Sequence, residues 1–223
     1  MNTNHDPEAE PDDRKRTMVD QVDSYFLLMD PDWQPAPDDE TPDPAALLGL
    51  WPVEADGSLG AFRANPDYRP RDADAVADPL DALFRMAVRG QAQAEQIQLV
   101  LRDTLFDVAL NGDERPLIMR SPDGVPCVVI ATSAPQRERV SAPQWRRIDL
   151  AELVSLLPDR VDTLFNPAGP VPMRLIGDVV RETLLMSDEE IAEARAVVLA
   201  ALPPDRGVPV LPWVAGAPTG SAA

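Results

Sequence analysis

Residues 145–175, WRRIDLAELVSLLPDRVDTLFNPAGPVPMRL, restrict the fold more than any other segment of the chain. They specify a short helix with both ends marked, then a strand, then a compulsory break. Asp149 caps the helix, and Glu152 follows at capping-box spacing. Ile148 and Leu153 stand where a hydrophobic staple sits. Leu150, Leu153, Val154 and Leu157 recur at i, i+3, i+4 and i+7, so one helical face is buried. Pro158 stops the helix. Residues 161–165 read as a short buried strand. Asn166-Pro167-Ala168-Gly169-Pro170 then has to leave regular structure, because proline has no ladder donor and glycine accepts positive φ. Residues 173–175 form a second short strand. Ile176, Val179, Val180, Thr183 and Leu184 return to helical spacing.

The rest of the chain alternates in the same way. Residues 24–29 are a strand candidate, followed at 30–44 by an acidic, proline-rich loop around Trp33. Residues 47–53 and 59–63 are expected to form a hairpin about Ala55-Asp56-Gly57-Ser58, since Asp-Gly is a strong hairpin signal. Asn65-Pro66 and Arg69-Pro70 force an irregular connection, and 71–77 reads as a linker. Asp78-Pro79 opens the clearest helix, with Leu80, Leu83, Phe84, Ala87 and Val88 on one face and Gly90 at its end. A second helix is expected over 91–104 and a strand over 105–110. Residues 117–120 and 125–132 form a hairpin around Pro122-Asp123-Gly124. Ser187 and Glu190 begin the last helix, which Pro203-Pro204 ends. Residues 1–19 are too polar to pack and read as a disordered head. Residues 204–223 read as a flexible tail rich in Pro, Gly and Ala, in which 208–214 could dock on the body. Helices mixed with tight hairpins imply an α+β fold: a small, mostly antiparallel sheet flanked by helices, with an N-terminal strand and hairpin attached.

Charge narrows the partners. The 223-residue chain has a formal net charge of −18. Residues 1–45 hold 13 acids against Arg14, Lys15 and Arg16, which accounts for ten of those charges. Phosphate backbones and anionic membranes repel such a chain, so no nucleic-acid partner is expected. No window approaches the roughly 18 apolar residues of a membrane span. With no leader-like segment at the start, the expected location is cytoplasmic.

Catalytic groups are scarce. His5 is the single histidine and lies in the head, which removes the commonest base and metal ligand from the body. Cys127 is alone in an apolar run and reads as a buried thiol. Acid pairs such as Asp30 with Asp32 and Asp38 with Asp39 sit in the proline-rich loop, where solvation explains them. No catalytic residue, metal site or cofactor is expected. Candidate partner-binding residues are the aromatics Trp33, Trp51 and Trp145, the basic pair Arg146 and Arg147, and the turn residues Asn166 and Pro167. The aromatics have a second reading, as plugs between the N-terminal hairpin and the main sheet. Arg137, Arg139, Arg146 and Arg147 could pair with the acidic head or with an acidic partner.

Leu164-Phe165-Asn166-Pro167 and VVIATS at 128–133 resemble the strand-turn signatures of the SseB-like domain. With SYFLLMDPDWQP (24–35), LLGLWPVEADGSLGAFRANPDYRP (47–70) and DPLDALFRMAVRG (78–90), the chain resembles the actinobacterial type VII secretion system-associated proteins over roughly residues 20–200. The resemblance implies an SseB-like domain at 78–203 behind an N-terminal subdomain at 20–70. It also implies a non-enzymatic accessory protein that binds a secretion substrate or machine component. The alternative it leaves open is an SseB-like regulator that senses a small metabolic ligand.

Overall fold

A computed structural model describes residues 24–33 and 43–201. The expected head, most of the acidic loop, the final Pro-Pro stop and the tail lie outside these residues. The fold is α+β. A three-stranded antiparallel sheet is built from β1 (Tyr25–Met29), β2 (Leu47–Pro52) and β3 (Arg63–Ala64). Helices α1 (Pro79–Val88) and α2 (Ala94–Asp103) follow. A six-stranded sheet comes next, from β4 (Phe106–Leu110), β5 (Ile118–Arg120), β6 (Pro126–Ala131), β7 (Gln144–Ile148), β8 (Asp162–Phe165) and β9 (Met173–Leu175). Its order is β7-β4-β6-β8-β9, with β5 paired to β6. Among the described strands only β6 and β8 run parallel. Helix α3 (Ala134–Glu138) lies between β6 and β7, and α4 (Leu150–Leu156) joins β7 to β8. Helices α5 (Gly177–Leu185) and α6 (Asp188–Ala200) complete the described body.

Local chemistry accounts for the boundaries. Asp78 accepts from the Asp81 amide at the start of α1, with Pro79 in the first helical position. Capping boxes start α4 at Asp149 with Glu152, and α6 at Ser187 with Glu190. The expected early start of α2 is corrected: Gly90 turns at φ +71°, and Gln93 with Gln96 caps the helix at Ala94. The first hairpin is also shorter than expected. Val53 and Leu59 make one bridge, and the chain leaves the ladder before β3. The Phe62 amide donates to Asp103 Oδ2 (2.8 Å) on α2, so it is not available to a strand neighbour. Two elements, α3 and β7, were not anticipated.

Register divides the large sheet into two faces. Phe106, Val108, Leu110, Val128, Ile130, Ile148 and Phe165 share one face, and all are buried. They join a single cluster with residues of α1, α2, α4, α5 and α6 and with Leu28, Leu48, Trp51 and Phe62 of the N-terminal segment. Phe165 sits between Phe84 (centroids 5.5 Å) and Phe106 (5.9 Å) at its centre. The other face carries Asp107, Ala109, Cys127, Val129, Ala131, Trp145, Arg147 and Leu164, with α3 reaching it through Arg137.

Side-chain bonds tie the N-terminal segment to α1 and to the connection that precedes it. Arg89 donates to Asp32 Oδ1 (3.0 Å), and the Tyr68 hydroxyl donates to the Val76 carbonyl (2.8 Å). Burial and nearby Asp30 push the Tyr68 phenol well above its ordinary pKa. Residues 71–77, read as a linker, are held against α1: Val76 is buried, and Arg85 bonds the carbonyls of Asp74 and Ala75. Among the described residues no helix is long and apolar enough to cross a membrane.

Candidate functional site

The parallel strands β6 and β8 end side by side, and their ends are locked together. Asn166, at φ 51°, is fully buried. Its Oδ1 accepts from the Thr132 amide (3.0 Å), and its Nδ2 donates to Thr132 Oγ1 (2.9 Å). The Thr132 hydroxyl in turn donates to Asp78 Oδ2 in a short contact. One chain of bonds thus ties the start of α1 to both strands. Burial raises the Asp78 pKa, and the neighbouring Asp81 adds to the effect. The side chain of Asn166 is therefore spent inside the fold, which corrects its reading as a contact residue. Pro167 beside it is half-buried.

The sheet edge at β7 is differently disposed. The Leu117 amide donates to the Ala109 carbonyl (2.8 Å), so the backbone of Ala109 faces β5. By alternation Phe106, Val108 and Leu110 face β7, where they oppose Ile148, Arg146 and Gln144. The amides and carbonyls of Trp145 and Arg147 must then point away from the sheet. They meet no backbone partner among the described residues, and β7 pairs with β4 alone. Among the described residues this strand edge is unpaired, and such an edge is of the kind that accepts another extended segment.

Its side chains are basic and aromatic. Trp145, half-buried, lies beside Ala109 on the face opposite the aromatic core. Arg147 lies on the same face, 3.3 Å from Asp107 Oδ2, and Arg137 approaches the same oxygen at 3.8 Å. Two guanidinium groups thus share one carboxylate. Arg146 is exposed on the opposite side and forms no ion pair among the described residues. Arg139, grouped with these arginines in the sequence, bonds instead to Asp74 and the Ala73 carbonyl.

The other candidates separate from this edge. Trp51 is 2% exposed and packs on Phe62 with ring centroids 4.7 Å apart, so it belongs to the core. Trp33 is half-buried, near the turn that carries Asp32. Of the residues proposed from the sequence, Trp145 and Arg147 share one face of β7, and Arg146 lies on the other. Sequence reasoning found Asp78 as a helix cap but missed its bond from Thr132, and it missed Asp107, because these roles depend on strands far apart in the chain. Cys127 is buried, and desolvation pushes its thiol pKa up, which keeps it protonated. A hollow between α2 and α5, lined by Ile97, Leu101, Val179 and Thr183, has a volume of about 100 Å³. Small-molecule sites are commonly about 300–1,000 Å³. Among the described residues no group of three or more His, Cys, Asp or Glu side chains is placed to hold a metal. Comparison with family models, with curated proteins and with solved structures finds no match to this chain.

Proposed function

We propose that this chain is a non-enzymatic cytoplasmic accessory protein of type VII secretion. It binds a secretion substrate or machine component by taking an extended segment of that partner onto β7. The observation that carries the binding mode is the outward-facing backbone of Trp145 and Arg147, bordered by arginines on an otherwise acidic chain. Backbone bonds along such an edge give affinity, and the side chains beside it give specificity. The pathway rests on the ordered sequence resemblance at 24–35, 47–70, 78–90, 128–133 and 164–167. The ligand-sensing alternative would use Asn166 together with Trp145. The Asn166 side chain is already bonded to Thr132, so the edge has the better geometric support.

The test is affinity capture from the cytoplasm of the source organism with tagged full-length protein, at low and at raised salt. The expected result is recovery of type VII secretion substrates or ATPase components, weakened by salt because charge contributes to the contact. A clean capture without any secretion component overturns the pathway assignment.

A further inference from the structure

The outer edge of β7 offers different chemistry on its two faces. Trp145 and Arg147 point their backbone groups outward, so an antiparallel partner strand exchanges hydrogen bonds with those two residues. Arg146 lies between them with its backbone turned to β4. Opposite Arg146 the two strands therefore form a non-hydrogen-bonded pair. Such pairs bring Cα atoms to about 4.5 Å, against about 5.5 Å at hydrogen-bonded pairs, so their side chains meet more closely. The residue that a partner sets opposite Arg146 is thus the one most strongly coupled to β7.

Charge marks the same position. On the face of Trp145 the arginines are matched: Arg137 and Arg147 meet Asp107, and Arg174 meets Asp123 and Asp162. In these pairs three arginines balance three aspartates, so that face selects little by charge. Arg146, on the other face, is exposed and has no ion pair among the described residues. Its neighbours along that side of β7 are Gln144, which is uncharged, and Ile148, which is buried. Across the ladder it lies opposite Val108. Arg146 is therefore the one charged side chain that β7 presents on this face.

We infer that β7 selects an antiparallel partner strand that carries a carboxylate opposite Arg146, followed by a β-branched or aromatic residue beside Trp145. This rests on the reading of β7 as a docking edge. Chain direction fixes the order: in an antiparallel partner, the residue after the one facing Arg146 faces Trp145, and the residue before it faces Arg147. Trp145 is half-buried beside Ala109, so part of its ring is left for a cross-strand neighbour. A basic residue at the central position sets like charges directly opposite, which is unfavourable. A second copy of this chain does the same, because antiparallel self-pairing centred on Arg146 sets arginine against arginine.

The experiment titrates the full-length protein with three capped seven-residue peptides, Thr-Val-Thr-X-Val-Thr-Thr with X as Glu, Gln or Lys, and follows amide shifts and exchange by NMR. The same titrations are run on Arg146→Glu and Arg146→Gln, both at an exposed position. The expected result is that bound peptide protects the Trp145 and Arg147 amides, and that the natural chain holds the Glu peptide about fivefold or more tighter than the Lys peptide. Long-range repulsion from a chain of net charge −18 works against this order, so the order reports the local pair. Arg146→Glu should reverse it, and Arg146→Gln should remove the preference for Glu. Protection of both amides by all three peptides, with no preference for Glu or with the same preference in all three proteins, overturns the inference and leaves the docking edge standing. Peptides that leave both amides unprotected overturn the docking edge, and the inference with it.

Discussion

Replacing Asn166 by alanine should remove the lock between the two parallel strands, and the structure gives the size of the effect. The Thr132 amide loses its acceptor at 3.0 Å in a fully buried setting, which costs about 1–3 kcal/mol. Thr132 Oγ1 loses the 2.9 Å bond from Nδ2 but keeps Asp78 as its acceptor, a smaller loss of about 0.5–1.5 kcal/mol. Alanine at φ 51° adds about 1 kcal/mol of backbone strain that asparagine tolerates better. The total is about 4 kcal/mol, a large share of the roughly 5–15 kcal/mol that holds a typical domain. Urea unfolding followed by far-UV circular dichroism would measure it, with an unchanged m-value confirming that the transition remains comparable. Asn166→Gly makes the same polar deletions without the strain, so it should be less damaging than Asn166→Ala. A loss below about 1 kcal/mol for Asn166→Ala would refute the reasoning, because it would mean that the buried Thr132 amide does not depend on this side chain.

Asp78→Asn should change how stability varies with pH. The folded-state pKa of Asp78 lies above its ordinary 3.8, so the folded chain holds this proton longer than the unfolded chain. Its contribution therefore falls as pH rises from about 3.8 through the raised folded value; the stability difference between the natural chain and Asp78→Asn should shrink over that window in unfolding curves taken at successive pH values. Trp51→Ala should lower stability by about 3–5 kcal/mol by chemical denaturation, and Trp33→Ala by much less; equal losses would contradict their different burial. Proline at 146 removes an amide bonded to β4, whereas proline at 147 removes one that faces outward. Measured against the alanine variant at each position, Arg146→Pro should cost about 1–3 kcal/mol more than Arg147→Pro, and the reverse order would overturn the assigned register.

The parts of the fold legible in the sequence were those fixed locally. Asp78-Pro79, Asp149 with Glu152 and Ser187 with Glu190 marked helix starts through bonds that span three residues. The Asp-Gly turns around Gly57 and Gly124 were equally local, at φ +83° and +86°. β7 was hidden because QWRRI lacks the alternation of a half-buried strand; at an edge, only Ile148 needs deep burial. Asn166 looked like a surface turn residue because its partner Thr132 is 34 positions away. Trp145, Arg146 and Arg147 were visible as a basic-aromatic group, but their opposed faces and the outward backbone follow only from the pairing of β7 with β4.

The central claim, that β7 receives a partner strand, is tested most directly by the affinity of a captured partner for Arg147→Ala and Arg147→Pro proteins. Both lack the guanidinium group, and they differ in one outward N–H. Loss of that donor, with its acceptor on the partner left unpaired, is worth at least about 1.4 kcal/mol, or tenfold in Kd. The account predicts that Arg147→Pro binds at least about tenfold more weakly than Arg147→Ala at similar folded stability. Equal affinity of the two variants would contradict it, because the partner would then be held by side chains and not by the strand edge.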